Sequence, residues 1–239
     1  MKIGITERGD AAIDLSWSSK MDSVNGAVVI TKNCASPDFQ NAVRQHKNKL
    51  IVHATITGNG GSFIEPNVPN PQITMQGLYD LCGVIDPARI VLRIDPIIPN
   101  QAGLSWVPWL INNMPPGIKR VRFSIIDNYK HLVQRGLTLP WQSFNAPEHL
   151  VADAVTVLRK YEHTHSIECC GESYPVIPQI WHKGCISDWD LILLGLDFMQ
   201  AEPFRMGAQR KVCKCLSVKT ELLNSKKQCP HGCLYCYWR

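Results

Sequence analysis

Short apolar runs alternate along this chain with longer stretches whose apolar residues recur every three or four positions. The runs lie at 2–6, 27–31, 50–56, 89–94, 120–126, 166–170 and 216–222. Two of them, AVVIT from Ala27 and IVLRI from Ile90, are almost wholly apolar, which suits strands covered on both faces. Between the runs, helical patterns fall at 37–47, 73–85, 104–112 and 147–163. The last is the clearest, with Leu150, Ala154, Val157, Leu158 and Tyr161 on one face. Strands alternating with helices predict parallel strands joined by right-handed crossovers. The expected fold is therefore α/β, a partial (β/α) barrel of six or seven parallel strands. No repeat, low-complexity tract or linker divides it. A single domain over residues 1–239 is expected, with a cysteine-rich C-terminal segment at 205–239.

Parallel barrels carry their chemistry on the loops that follow the strands. After the run at 27–31 come Lys32, Asn33 and Cys34, and after the run at 50–56 comes a glycine-rich turn, Thr57-Gly58-Asn59-Gly60-Gly61, then Glu65-Pro66-Asn67. Later runs lead into Asp95-Pro96, into Asp127, Tyr129 and Lys130, and into Gly171-Glu172. Any one of these is an ordinary turn, but their shared rim predicts a functional mouth. Lys32, Glu65, Asp127, Tyr129, Lys130 and Glu172 are candidates for its substrate side. Cys34, Tyr129 and Lys130 form the expected catalytic set, with Cys34 as a hydrogen-atom donor. His53, His163 and His165 read as surface or satisfied core residues.

At 239 residues the chain can bury a full core, and 45% hydrophobic with 19% charged residues is ordinary for a soluble protein. No apolar run approaches the roughly 18 residues of a membrane span, and the start MKIGITERGD has no signal-peptide core. A cytoplasmic protein without a membrane partner is expected. In that reducing setting ten cysteines argue for metal or redox roles over a disulfide framework. The net charge of +5 permits an anionic partner such as a nucleotide or DNA and demands none.

The cysteines concentrate near the end. Cys229, Cys233 and Cys236 stand in CPHGCLYC, a C-x3-C-x2-C spacing with Tyr235 before the third. Three thiolates so placed can hold three corners of a cubane [4Fe–4S] cluster, leaving one iron open. Zinc, with His231 as a fourth ligand, is the competing reading, although His231 sits awkwardly between two of the cysteines. A disulfide with a spare thiol is the third. Outside this string, Cys170, Cys185, Cys213 and Cys215 supply four thiolates, enough for a second [4Fe–4S] cluster or a structural zinc. Cys34, Cys82 and Cys169 also fit buried core positions.

CPHGCLYC resembles the radical SAM signature, in which S-adenosylmethionine occupies the open iron and an aromatic residue precedes the last cysteine. Most of the chain, moreover, is similar to a bacterial domain-of-unknown-function family grouped with spore photoproduct lyase-like radical SAM proteins. The likeness shows in Thr31-Lys32-Asn33, EPNVP from Glu65, DPARIVLRIDPII from Asp86, SIIDNYK from Ser124, ECCGE from Glu168, KGCIS from Lys183 and CPHGCLYCY. It departs where Ser187 replaces a usual aspartate and in a shorter N-terminal segment at 5–15.

The resemblance implies a radical SAM barrel whose cluster loop, usually placed after the first strand, has moved to the C-terminus by circular permutation. The strands at 2–6 and 216–222 would then be neighbours. By analogy, Gly58, Asn59, Gly60, Gly61, Arg93, Asp95 and Tyr235 would contact S-adenosylmethionine, unless Arg93 and Asp95 simply pair with each other. The expected activity is reductive cleavage to a 5′-deoxyadenosyl radical that takes hydrogen from the substrate. A flavodoxin- or ferredoxin-type protein would supply the electron. The substrate would be a small molecule or a nucleobase, with modified bases in DNA included. A non-enzymatic, zinc-binding, nucleic-acid-interacting protein is the alternative from another class.

Overall fold

The computed structural model describes residues 1–197, 214, 219–224 and 229–236. Its framework is one seven-stranded sheet: β1 (Ile3–Ile5), β2 (Gly26–Thr31), β3 (Leu50–Thr55), β4 (Ile90–Ile97), β5 (Arg120–Ile125), β6 (Ser166–Cys169) and β7 (Lys219–Glu221). Every pairing is parallel, in the order β6-β5-β4-β3-β2-β1-β7. The sheet is open, with β6 and β7 as its edges. Each of the expected strands is present within a few residues of its apolar run. The chain lays β1 to β6 down side by side, then returns β7 to the far flank of β1, pairing Ile3 with Lys219 and Ile5 with Glu221.

Helices α1 (Pro37–His46), α2 (Pro71–Cys82), α3 (Gln101–Asn112), α4 (Lys130–Gln134), α5 (Glu148–Arg159) and α6 (Asp188–Leu193) fill the crossovers. Local sequence starts them: Ser36, Asn70 and Asn100 each accept a backbone N–H of the first turn, and Pro37 and Pro71 follow the first two caps. The pattern at 147–163 becomes α5, but its buried stripe is Val151, Ala154, Val155 and Leu158. Leu150, Val157 and Tyr161 flank that stripe, half-buried. The i, i+4 valine pair, being β-branched and compact, takes the sheet side. Helices α4 and α6 carried no periodic signal because they are five and six residues long. Ser187 starts α6 through a reciprocal cap with Asp190, which gives that serine a local role.

Two cores follow from strand alternation. Outward residues such as Val29, Val52, Leu92 and Val121 pack under the helices with Phe39, Leu78 and Leu158. Inward residues Ile3, Ile5, Val28, Ile30, Ile51 and Val91 pack against Ile186 and Leu191, so the segment entering α6 fills the concave side. All six positions of β2, β3 and β5 are buried, as double coverage requires.

Further along the sheet the inward face becomes ionic. Arg120 donates from Nε to Glu168 at 2.7 Å and from Nη1 to Asp190 at 2.6 Å. Arg122, wholly buried, donates from Nε to Glu168 at 2.9 Å and from Nη1 to the Cys185 carbonyl at 3.2 Å. Burial opposes the charges of Arg120, Arg122 and Glu168, and their pairing more than offsets it, raising both guanidiniums and lowering Glu168. Removing one partner strands the others. Glu168→Leu is expected to cost about 3–5 kcal/mol in urea unfolding, and Glu168→Leu/Arg122→Met to recover much of that loss.

Candidate functional site

Leu222 donates its N–H to the Ile5 carbonyl at 2.8 Å, extending the β1–β7 ladder by one rung. Residues 229–236 then lie against the C-terminal ends of β1, β2 and β3. Their backbone is tied at several points: the Asn67 N–H to the His231 carbonyl at 3.2 Å, the Leu234 N–H to Ile64 at 3.0 Å, and Arg135 Nη1 of the α4 C-cap to the Leu234 carbonyl at 3.1 Å. Gly232 makes the turn between Cys229 and Cys233 at a φ of 66°, a conformation that favours glycine.

Two buried carboxylates brace the loop from below. Asp10, just past β1, accepts from Thr31 Oγ1 at 2.7 Å, the Lys32 N–H at 2.6 Å, the Ala12 N–H at 2.8 Å and His231 Nε2 at 2.9 Å. Burial pushes the Asp10 carboxyl up, but the His231 imidazolium and these donors outweigh it and hold it below its ordinary value. His231 Nδ1 also faces an acceptor, the Asn67 carbonyl at 3.2 Å. With acceptors at both nitrogens the ring is best assigned as the doubly protonated cation. Burial opposes that charge, yet Asp10 raises the His231 pKa overall.

The second brace is Glu65, which accepts from Lys32 Nζ and Thr57 Oγ1, each at 2.8 Å, and from the Tyr235 hydroxyl. Burial works against the Glu65 charge, and Lys32 more than compensates, so its pKa falls. Lys32 rises in turn, and its Nζ stands 5.3 Å from the Tyr235 ring centroid.

A cavity of about 260 Å³ opens at this end of the sheet. Thr6, Thr31, Thr55, Asp95, Ser124 and Cys170 reach it from the C-terminal ends of β1 to β6. Cys229, Cys233, Tyr235 and Cys236 reach it from the loop after β7. Both edges of the open sheet therefore wall the same space. Burial pushes the Cys233 thiol up to about 12, with Lys32 pulling the other way, and raises Cys229 as well. A metal would have to displace those protons.

Within the wall Arg93 is paired with Asp95, which also accepts from the Ser124 hydroxyl. Arg93 Nε and Thr55 Oγ1 are buried without a hydrogen-bond partner, and the two residues are register neighbours on β4 and β3. Polar atoms left in this state suit a polar ligand.

The structure gathers Cys229, Cys233, Cys236, Tyr235, Arg93, Asp95, Tyr129, Lys32, Asp127, Cys170 and Cys185 around the cavity. Cys170 and Cys185 bring their sulfurs within 3.4 Å of each other. Cys213 and Cys215 lie outside the described residues. Gly58, Asn59, Gly60 and Gly61 are not among the residues lining the cavity. A Cβ on Gly58 would fall 2.2 Å from the Trp106 ring, so packing against α3 accounts for that glycine. Cys34 sits in the helix-facing core, donating to the Thr74 carbonyl at 3.2 Å, and Lys130 is exposed at the start of α4. Glu172 receives the Ile125 N–H at 2.8 Å, a structural task. His53 is buried with no partner at Nδ1, and burial beside Arg122 and Arg93 keeps it neutral.

Sequence reasoning missed Asp10, Thr55 and Ser124. Their signal was available: Thr55 and Ser124 are the last inward residues of apolar strands, and Asp10 is a lone carboxylate before an apolar AAI. Among the described residues no three His, Cys, Asp or Glu side chains are close enough to share a single metal ion. That bears on one tetrahedral ion, whereas a cubane seats each thiolate on a different iron.

The chain belongs to the DUF1848 family. The family model, described as a domain of unknown function, matches residues 13–238, nearly the whole chain. No curated protein and no solved structure matches it. The match spans every element from the turn before β2 to the cysteine loop.

Asp10 is the brace most open to test, because it gathers four donors from three segments. Asp10→Ala is expected to weaken the loop by ~1–3 kcal/mol, about a 5- to 160-fold rise in amide exchange across 229–236, while β3 to β5 keep their protection.

Proposed function

We propose that this protein is a radical SAM enzyme. One observation carries the reading: the three cysteines of a C-x3-C-x2-C string, with Tyr235, line one wall of a cavity at the C-terminal ends of a parallel sheet. The residues present fit a [4Fe–4S] cluster, with three thiol donors on a doubly braced loop and cationic Lys32 beside Cys233. They also fit a polar ligand beside it, through Arg93, Thr55 and Asp95. Once bound, the cluster and S-adenosylmethionine supply one-electron reductive cleavage to a 5′-deoxyadenosyl radical that abstracts hydrogen.

The chain's own tasks are binding, orientation and exclusion of water. Cys229, Cys233 and Cys236 would hold three irons. Asp10 and Glu65 fix the loop through His231, Tyr235 and Lys32, so the donors are positioned before anything binds. Arg93 and Thr55 would orient the polar end of the second ligand. Tyr129, stacked on His131 with centroids 5.3 Å apart, stands on the substrate side.

Strand order supports a permuted barrel. Counted from β7 the sheet reads 7-1-2-3-4-5-6, a plain succession, and the cysteine loop then follows the first strand. The electron would come from a flavodoxin- or ferredoxin-type protein. The substrate would be a small molecule or a nucleobase, and a base in duplex DNA would reach the strand ends only when flipped out. Modified nucleobases are the substrate class we favour, on the spore photoproduct lyase-like resemblance, and a net charge of +5 permits DNA as their source.

Anaerobic reconstitution is expected to give a protein carrying iron and sulfide, an electron paramagnetic resonance signal that changes on adding S-adenosylmethionine, and 5′-deoxyadenosine after reduction. Cys233→Ala is expected to abolish that product. Stoichiometric zinc with no iron uptake, or 5′-deoxyadenosine from Cys233→Ala, would overturn the reading; the zinc result would favour a non-enzymatic metal-binding protein.

A further inference from the structure

Cys170 and Cys185 stand apart from the cysteines of the helix-facing core and of the C-terminal loop. Their sulfurs are 3.4 Å apart, and both residues line the cavity. Cys34 and Cys169, by contrast, sit in the helix-facing core, where burial pushes their thiols far up and leaves them inert. The backbone holds the pair in place. A parallel bridge joins Cys169 to His182, with the Lys183 N–H on the Cys169 carbonyl at 2.9 Å, and Arg122 Nη1 grips the Cys185 carbonyl at 3.2 Å. Gly171 turns the chain away just after Cys170 at a φ of 73°. Arg93 and Arg122 both act electrostatically on the two sulfurs, and Glu7 acts on Cys185. Cys170 is partly accessible in the cavity wall, as reactive thiols are.

We infer that Cys170 and Cys185 form a redox-active dithiol in the cavity wall, exchanging with low-molecular-weight disulfides. A disulfide bond of about 2.05 Å needs the sulfurs to close by little more than 1 Å, within reach of side-chain rotation. Cys170, half-exposed where Cys185 is buried, makes the first attack as thiolate. It breaks the S–S bond of the small disulfide, forms a mixed disulfide and releases one thiolate. Cys185 thiolate then attacks the Cys170 sulfur, forming the protein disulfide and releasing the second. The two protons leave with the two small thiols, so protein dithiol plus disulfide gives protein disulfide plus two thiols. The proposal stands on the geometry of the pair and not on the radical SAM reading.

The test uses the full chain, reduced under anaerobic conditions and then equilibrated with oxidised glutathione. Free thiols are alkylated, and cleavage after Lys183 separates Cys170 from Cys185 for mass spectrometry. The expected result is a Cys170–Cys185 linked peptide, two fewer alkylated thiols and reversal by dithiothreitol. Cys169→Ser is expected to form the same link, and Cys170→Ser to lose it. Cross-linking of Cys185 to any other cysteine, no loss of thiols at any glutathione ratio, or bound metal that Cys170→Ser releases would each overturn the proposal.

Discussion

Lys219, Thr220 and Glu221 lie alongside Ile3, Gly4 and Ile5, and on this short parallel ladder the position of the cysteine loop depends. Three paired residues are a slim hold, and the chain reinforces them with side chains. Glu221 accepts the backbone N–H groups of Glu7 and Arg8 at 3.0 and 3.2 Å, while Lys219 Nζ reaches Glu7 at 2.9 Å. Gly4 is needed because a Cβ there would sit 2.4 Å from a Leu222 methyl. Leu222 and Leu223 are buried, so apolar packing anchors the strand end while ionic contacts set its register. From that anchor residues 229–236 can reach Asp10 and Glu65.

The inward face shows how an open parallel sheet reconciles a dry core with a polar mouth. Near the strand starts of β1 to β4 it is apolar, filled by Ile186 and Leu191. On β4 to β6 it carries Arg93, Arg120, Arg122 and Glu168, whose charges would be costly to bury if they were alone. They are not alone: each guanidinium has a carboxylate, and Asp190 is delivered by α6, the element that also plugs the apolar end. A buried ionic network of this kind contributes little net stability but fixes geometry, since any displacement leaves an unpaired charge in a low dielectric. The cavity floor inherits that rigidity through Arg93 and Asp95.

The strands were legible because double burial writes itself as unbroken apolar runs, and the rim was legible because polar residues follow each run. The cysteine loop was legible from spacing alone. What stayed hidden depends on contacts between distant segments. Nothing local marks Asp10 as the partner of His231, 221 positions away, or Glu65 as the partner of Tyr235, 170 away. Gly58 and Cys34 show the converse, since their position after a strand suggested chemistry that packing against Trp106 and Thr74 explains. Ridges of six residues or fewer, as in α6, fall below the length at which periodicity speaks.

The open sheet explains how one cavity can hold two kinds of cysteine. A closed barrel would make β6 and β7 neighbours; here each remains an edge and sends its own loop inward. On the β7 side burial dominates, and Lys32, which acts on Cys229 and Cys233, is paired with Glu65. Cys229 and Cys233, raised by burial, stay protonated and slow to react until a metal displaces the proton. On the β6 side two guanidiniums act on Cys170 and Cys185. Arg93 is common to both worlds, lining the cavity between the two edges with its Nε lacking a partner. A polar ligand bound at Arg93 would redistribute charge felt by the Cys170–Cys185 pair, so occupancy of the cavity and the reactivity of that dithiol are physically coupled through one side chain.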